Sequence, residues 1–360
     1  MRHLVNTTDF SVSELDQLLC LAEQMRSSPE QYRQACAGRI LATLFFEPST
    51  RTRLSFESAM LSLGGNVIGF SEPTTTSAAK GECLADTIET VNGYADIIAL
   101  RHPGEGAAAV AAAHADVPLI NAGDGGHYHP TQTLTDLFTI RAEMGRLENL
   151  TIGLCGDLKY GRTVHSLITA MIRYPNIRFV CIAPQQLSLP AYFSDLLQAK
   201  KIPCIYDTSL ENVIDELDVL YMTRVQRERF SIPESVPDLH SGMVLTSELM
   251  ARGRSGLRVL HPLPRVDEID TAVDKDPRAC YFRQAHNGRY VRMALIYTLL
   301  TNTSSCQACS ALEGPFLPVQ ESCDNPHCIT AFDVSLPPLW KTDQNGAVRC
   351  VYCEKARGRA

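Results

Sequence analysis

The stretch FFEPSTRTRLSFE, residues 45–57, decides how this chain is read. An apolar run, ILATLFF (40–46), leads into Pro48. Ser49, Thr50, Arg51, Thr52 and Arg53 then crowd together before Phe56, Met60 and Leu63 recur at i, i+4 and i+7, and Gly64 and Gly65 end the pattern. The periodicity predicts a strand handing over to a helix, with the knot of hydroxyls and arginines on the first helical turn. Backbone N–H groups have no intrahelical partner there, and the helix dipole is positive. Hydroxyl donors and a planar guanidinium added to that end describe an anion site, most naturally for phosphate. The plainer alternative is an N-cap with solvated arginines.

Working outward, short β-rich runs alternate with helical patterns. NVIGF (66–70), ADIIALR (95–101) and PLIN (118–121) join 40–46 as buried strands, separated by helices over 51–63, 84–94 and 107–115. A long helix is predicted over 130–144. The alternation then restarts with strands LTIGLCGD (150–157), IRFVCIAP (177–184), PCIYD (203–207), VLYMT (219–223) and RVLHPLP (258–264). RTVHSLITAMIRY (162–174), AYFSDLLQAKK (191–201) and LENVIDELD (210–218) are predicted helices between them. Strands alternating with helices predict parallel sheets covered on both faces. The fold class expected is therefore α/β: two three-layer domains with parallel sheets, with a small separate module at the C-terminus.

The bulk numbers agree with that plan. The 360 residues suggest two domains, with 45% apolar and 20% charged residues, and a net charge of -7 argues against nucleic-acid or acidic-membrane binding. The first residues, MRHLVNTTDFSVSE, carry no apolar signal region, and the alanine-rich GAAAVAAAHA is too short and mild to span a membrane. A cytoplasmic protein is the expectation. Of 13 cysteines, seven are scattered as small reduced side chains: Cys20, Cys36, Cys83, Cys155, Cys181, Cys204 and Cys280. The other six fall within residues 306–353.

Ser49, Thr50, Arg51, Thr52 and Arg53 resemble the carbamoyl-phosphate signature of the carbamoyltransferases. In family order follow Arg101-His102-Pro103, His129-Pro130-Thr131-Gln132, GDLKYGRTVHS (156–166), YMTRVQRER (221–229) and HPLPR (261–265). Together they resemble the catalytic chain of the aspartate carbamoyltransferases over residues 1–302. Ornithine-using relatives carry a cysteine where Pro262 stands. The resemblance implies attack of the L-aspartate amine on carbamoyl phosphate, giving N-carbamoyl-L-aspartate and phosphate, without a catalytic cofactor. It implies that Ser49, Thr50, Arg51 and Thr52, helped by Arg101, hold the phosphate, and that Thr52, Arg101 and His129 donate to the carbonyl oxygen. Gln132 and the backbone at Pro262 and Leu263 would bind the carbamoyl NH2. Arg162 and Arg224, with Gln226 beside them, would grip the aspartate carboxylates; the bidentate guanidinium suits both. Ser77 and Lys80, in SEPTTTSAAKGE (71–82), would reach the neighbouring subunit's site in a homotrimer, although their spacing is one residue shorter than in the best-known relatives.

Plainer readings stand beside these. His127 and His129 form half of a metal site, or His129 is a core histidine. GDLKYGRT is similar to a phosphate-binding loop, but Arg162 stands where that loop needs lysine. Asp157, Lys159 and Tyr160 shape the turn before a helix.

In the tail, Cys323 and Cys328 are followed by Cys350 and Cys353, a spacing that fits a four-thiolate zinc site. A segment with so few core residues needs a metal to stay folded. CDNPHC (323–328) and CVYCEK (350–355) also resemble the zinc domain of the aspartate carbamoyltransferase regulatory chain, here fused in cis and without the nucleotide-binding domain that normally precedes it. Cys306 and Cys309 are spare thiols or competing ligands. The expected domains are 1–130 for carbamoyl phosphate, with a final helix at about 286–302 packing back on it, and 131–285 for aspartate. A linker, 303–322, then leads to the zinc module, 323–360. The alternatives are a carbamoyltransferase for another amino acid, and a non-catalytic assembly protein that uses the zinc module as a docking surface. A larger assembly through that module is left open.

Overall fold

The computed structural model describes residues 2–71, 80–226, 242–301, 312, 314–317, 319, 321–343 and 346–357. Ser77, Arg227, Arg229, Cys306 and Cys309 lie outside the described residues. Two compact units emerge: residues 1–131 with 289–360, and residues 132–288.

In the first unit, strands β1 (Ile40–Phe45), β2 (Asn66–Phe70), β3 (Ile97–His102) and β4 (Leu119–Asp124) form one parallel sheet in the order β2-β1-β3-β4. Helices α1 (Val12–Ser27), α2 (Thr50–Ser62), α3 (Leu84–Asn92) and α4 (Ala107–His114) belong to this unit. Strand β4 is buried throughout, as a strand covered on both faces should be. The expectation of a buried strand fails at 66–70: β2 is an edge strand with no residue fully buried in this chain. In α4 the six residues Ala107–Ala112 are all buried, so the alanine run is a core helix whose short side chains let neighbours approach closely.

The chain passes into the second unit within α5 (Pro130–Met144) and returns within α9 (Tyr281–Thr301). The second sheet, also wholly parallel, runs β7-β6-β5-β8-β9. Its strands are β5 (Leu150–Cys155), β6 (Ile177–Ile182), β7 (Cys204–Asp207), β8 (Val219–Met222) and β9 (Arg258–Leu260), with helices α6 (Arg162–Met171), α7 (Ala191–Ala199) and α8 (Ser247–Arg252). The helix expected over 210–218 is instead two 3-10 turns, Leu210–Asn212 and Ile214–Glu216. Leu210, Ile214 and Leu217 are buried as their spacing demands, but Val213 sits at φ -133, outside the helical region, and breaks the segment. Both sheets are right for doubly wound α/β domains, in which ligands meet the carboxyl ends of the strands.

The last part of the chain belongs to the first unit. It holds the short helix α10 (Ile329–Phe332) and an antiparallel hairpin of β10 (Trp340–Thr342) and β11 (Val348–Cys350). Cys328, Ile329, Trp340, Cys350, Tyr352 and Cys353 fall in one hydrophobic cluster with Leu44, Ile98, Leu100 and the alanines of α4. Among the described residues, no helix is long and apolar enough to cross a membrane.

Candidate active site and metal centre

In the first unit the parallel register brings three strand ends to one edge. Phe45 of β1 pairs with Arg101 of β3, and His102 of β3 with Asp124 of β4. Arg101 stands at the end of β3 itself, and the segments leaving β1 and β4 carry Ser49–Thr52 and His129. Ser49 is the N-cap of α2, yet its hydroxyl makes no capping bond to its own helix. Thr52 is buried on the first turn. Arg51 has no hydrogen-bond or ion-pair partner among the described residues and is held below its ordinary pKa, first by desolvation and then by the positive charge of Arg101. Arg101 is itself lowered by burial. Its Nη2 pairs with Glu47 Oε1 at 2.7 Å and its Nη1 donates to the Ala122 carbonyl at 3.3 Å, while its buried Nε has no partner. Two neighbouring guanidiniums, an unspent hydroxyl and a helix N-terminus of 13 residues make a site that gains by taking up an anion.

His129 is buried just ahead of α5, its Nδ1 3.4 Å from the Thr131 hydroxyl. Its neighbour His127 directs Nδ1 to Asp124 Oδ2 at 3.2 Å. Among the described residues the two histidines belong to no converging group of metal ligands. Lys80 is exposed at the edge of the described chain. Glu47 was passed over in the sequence; an acid next to a positive knot was the available signal.

The second unit repeats the logic at the ends of β5, β8 and β9. Asp157 is fully buried, and its carboxylate ties two segments together. Oδ1 accepts from the Tyr160 N–H at 2.9 Å, and Oδ2 accepts from the Gln226 N–H at 3.1 Å. Its own N–H donates to the Thr223 hydroxyl at 3.0 Å, and the Gln226 side chain donates to the Tyr160 carbonyl at 2.8 Å. These bonds hold the turn that presents Arg162, first residue of α6, against the segment bearing Arg224. Gly156 is required at this crossing: at φ +115 a Cβ would stand 2.2 Å from the Thr223 carbonyl oxygen. The turn's resemblance to a phosphate-binding loop is thus accounted for by a buried aspartate that organises two arginines.

After β9, His261 anchors the HPLP segment through both ring nitrogens. Nδ1 accepts from the Leu263 N–H at 2.7 Å, which leaves Nε2–H to donate to Glu268 at 2.6 Å. Burial is the largest single influence and would raise the Glu268 carboxyl, but the His261 interaction and the backbone N–H donors together outweigh it and the pKa is lowered. Pro262 and Leu263 sit half-buried on this pinned loop. Gln132 donates to Asp136 at 2.7 Å, and Asp136 also accepts from Tyr221 at 2.9 Å and Gln284 at 2.6 Å.

In the C-terminal segment the sulfurs of Cys323, Cys328, Cys350 and Cys353 all lie within 4.8 Å of one another, three of the residues being buried. The Cys323–Cys353 and Cys328–Cys350 separations are 3.6 and 3.8 Å. A tetrahedral ion at about 2.3 Å from each sulfur needs S–S edges of about 3.8 Å, so the donor set fits a metal of zinc's size and softness. The Cys350 and Cys353 thiols crowd Cys328 and pull its pKa down.

Two family descriptions match the chain: "Aspartate/ornithine carbamoyltransferase, carbamoyl-P binding domain" over residues 2–142 and "Aspartate/ornithine carbamoyltransferase, Asp/Orn binding domain" over residues 148–299. The chain belongs to the aspartate/ornithine carbamoyltransferase family. Its relatives include the aspartate carbamoyltransferase catalytic subunits of Lachnoclostridium phytofermentans, 57% identical over 301 residues, and Clostridium novyi, 56% identical over 299 residues. Each alignment covers 83% of this chain and 98% of the relative. Among solved structures, the catalytic subunit of M. jannaschii aspartate transcarbamoylase superposes with a TM-score of 0.80 at 45% identity, covering 85% of this chain and all of that one. The Trypanosoma cruzi aspartate transcarbamoylase in complex with carbamoyl aspartate and phosphate gives 0.77 at 38% identity, covering 83% and 96%. Both family matches end before the four cysteines.

Proposed function

We propose that this chain is a carbamoyltransferase that moves the carbamoyl group of carbamoyl phosphate to the amine of L-aspartate, giving N-carbamoyl-L-aspartate and phosphate, an early step of pyrimidine biosynthesis in the cytoplasm. The observation that carries the reading is the pair of arginine-bearing strand edges, one on each unit of a family fold whose relatives perform this transfer.

The reaction needs no covalent intermediate; positioning and electrostatics suffice. Ser49, Thr50, Arg51 and Thr52 bind the phosphate and take up the charge it gains as the leaving group departs. Arg101, steered by Glu47, shares that phosphate. With Thr52 and His129, it also stabilises the carbonyl oxygen as the amine attacks. Gln132 and the backbone of Pro262 and Leu263 hold the carbamoyl NH2. Arg162 and Arg224 clamp the two aspartate carboxylates with Gln226 beside them, and the Asp157 bonds keep these segments in register. Ser77 and Lys80 act in the site of an adjoining subunit, which makes the working form a homotrimer closed as a ring.

The four cysteines hold a structural zinc ion, in a module of the kind found in the regulatory chain of this enzyme class, docked in cis. The spacing, softness and convergence of the sulfurs support zinc. The ion stabilises the module and takes no part in the transfer.

The test is a product assay with carbamoyl phosphate and either L-aspartate or L-ornithine. Carbamoyl-aspartate alone is expected. Citrulline would move the reading to another amino acid. Absence of both products, from protein loaded with zinc, would favour an assembly protein without catalysis.

A further inference from the structure

We infer that Glu354, on the cysteine module, is a positioning residue for His129. The inference rests on the carbamoyltransferase reading and adds a role for the module within it.

Glu354 follows Cys353 directly. Its backbone N–H donates to the Cys350 carbonyl at 3.0 Å and its φ is +59, so the direction of its side chain is set by the turn that carries two of the four sulfurs. From there Oε2 accepts from the Tyr128 hydroxyl at 2.7 Å and lies 3.6 Å from His127 Nε2. The rings of His127 and Tyr128 lie against each other with centroids 3.8 Å apart. Behind them stands the buried carboxylate of Asp124. It accepts from His127 Nδ1 at 3.2 Å, from the Tyr128 N–H at 2.9 Å, from Asn121 at 3.0 Å and from the Gly106 N–H at 3.0 Å. The Asp124 N–H donates in turn to the Tyr128 carbonyl at 3.1 Å and closes the loop on itself. The residue after Tyr128 is His129. Thus the last two side chains before His129 are held by β4 on one side and by the module on the other.

The companion loop is gripped as well. Just beyond Arg101, Glu105 accepts from Asn325 at 2.7 Å through its carboxylate and from the Ile329 N–H at 2.9 Å through its carbonyl. Its own N–H donates to the His327 carbonyl at 2.7 Å. Both cysteine turns therefore bear on segments adjoining the residues assigned to the carbonyl oxygen. A module serving stability alone could dock anywhere on the unit. This one joins the loop that ends at His129 through a hydrogen-bonded carboxylate.

The experiment compares full-length, zinc-loaded wild type with E354A, E354Q, Y128F and the E354A/Y128F double variant. Zinc content, kcat, the KM for each substrate and backbone hydrogen exchange over residues 121–133 are measured. Glu354 is not a metal ligand, so zinc content should be unchanged in E354A. Its kcat should fall by about 10- to 100-fold, the scale of a catalytic group displaced by up to an ångström, with the KM for aspartate within about twofold of wild type. Glutamine keeps an acceptor oxygen for Tyr128, so E354Q should recover most of the loss. The double variant should be no worse than the poorer single one, and exchange should rise over 124–129. Wild-type kcat and exchange in a zinc-loaded E354A would overturn the inference, as would loss of zinc from E354A. If wild type itself forms no carbamoyl-aspartate, the functional reading fails. Exchange over 124–129 then decides the link between Glu354 and the His129 loop by itself: a rise in E354A upholds it, and no change overturns it.

Discussion

Replacing Gly106 with alanine should unseat the cysteine module without touching a cysteine or a substrate-binding residue. Gly106 caps α4 at φ +89, a region in which an L-residue is strained by about 1–2 kcal/mol. An added Cβ would also stand 2.5 Å from the Tyr352 carbonyl oxygen and 2.6 Å from its carbon. Both are backbone atoms of the second cysteine turn, so relief requires that turn to recede by about an ångström, a gap that forfeits much of the local dispersion energy. Receding stretches the Glu354–Tyr128 bond and disturbs the seating of Tyr352, which is buried and donates to the Pro337 carbonyl at 3.0 Å. At about 1 kcal/mol for each compromised hydrogen bond, the docked state loses about 2–4 kcal/mol, roughly 30- to 1,000-fold in the docking equilibrium. The assay is the rate at which a colorimetric chelator captures zinc under conditions where the module opens and closes faster than capture; the rate then follows the opening equilibrium and should rise by about that factor. G38A is the control, because Gly38 has φ +79 but open space around its missing Cβ. It carries the backbone strain without the collision and should release zinc like wild type. A wild-type release rate in G106A would refute the account of the docked turn.

Three further outcomes are expected. D157A removes the acceptor for the partly buried Tyr160 and Gln226 N–H groups. At about 1–3 kcal/mol for each unsatisfied donor, it should raise the KM for aspartate by tenfold or more and leave carbamoyl-phosphate binding nearly unchanged; equal effects on both would refute it. Mixing R51A with K80A chains should restore activity beyond either variant alone if sites are shared between subunits, and no gain over either one would sink the shared site. Burial lowers His3 and His102 from 6.5 to about 4. The unfolded chain therefore takes up these protons first as pH falls. Their neutral, buried forms are compatible with full stability above about pH 6.5, and that stability should be lost progressively down to about pH 4, by up to about 3 kcal/mol for each histidine. Urea midpoints from pH 7 to 4 read this slope. H102N, whose amide oxygen can still accept from the Gly104 N–H, should flatten part of it; an unaltered slope would exclude His102.

Much of the architecture was legible because parallel strands buried on both faces leave continuous apolar runs, and the intervening helices leave a 3.6-residue period. The strand-to-helix turn at 45–53 was legible because an apolar run, a proline and the following helical period lie in consecutive residues. Strand burial was misread at 66–70, since exposure there depends on which strand ends the sheet, and sheet order is a long-range property. The segment 210–218 has helical spacing, yet nine residues are too few for spacing to outweigh one non-helical φ at Val213. Glu47 escaped notice because its role depends on reaching Arg101, 54 residues later on the neighbouring strand.

By itself, the sequence determined the α/β class, the strand-to-helix turn that carries Ser49–Arg53, the order of the arginine-bearing segments and the grouping of four cysteines. Each is written in local spacing, which short-range sterics and hydrogen bonding translate directly into structure. Only the tertiary structure decided that Asp157 joins the two arginine segments, that His261 pins Leu263, and that Gly106 and Glu354 seat the cysteine module against the loop before His129. Those contacts join residues far apart in the chain, and their strength comes from burial and alignment that exist only once the sheets have assembled.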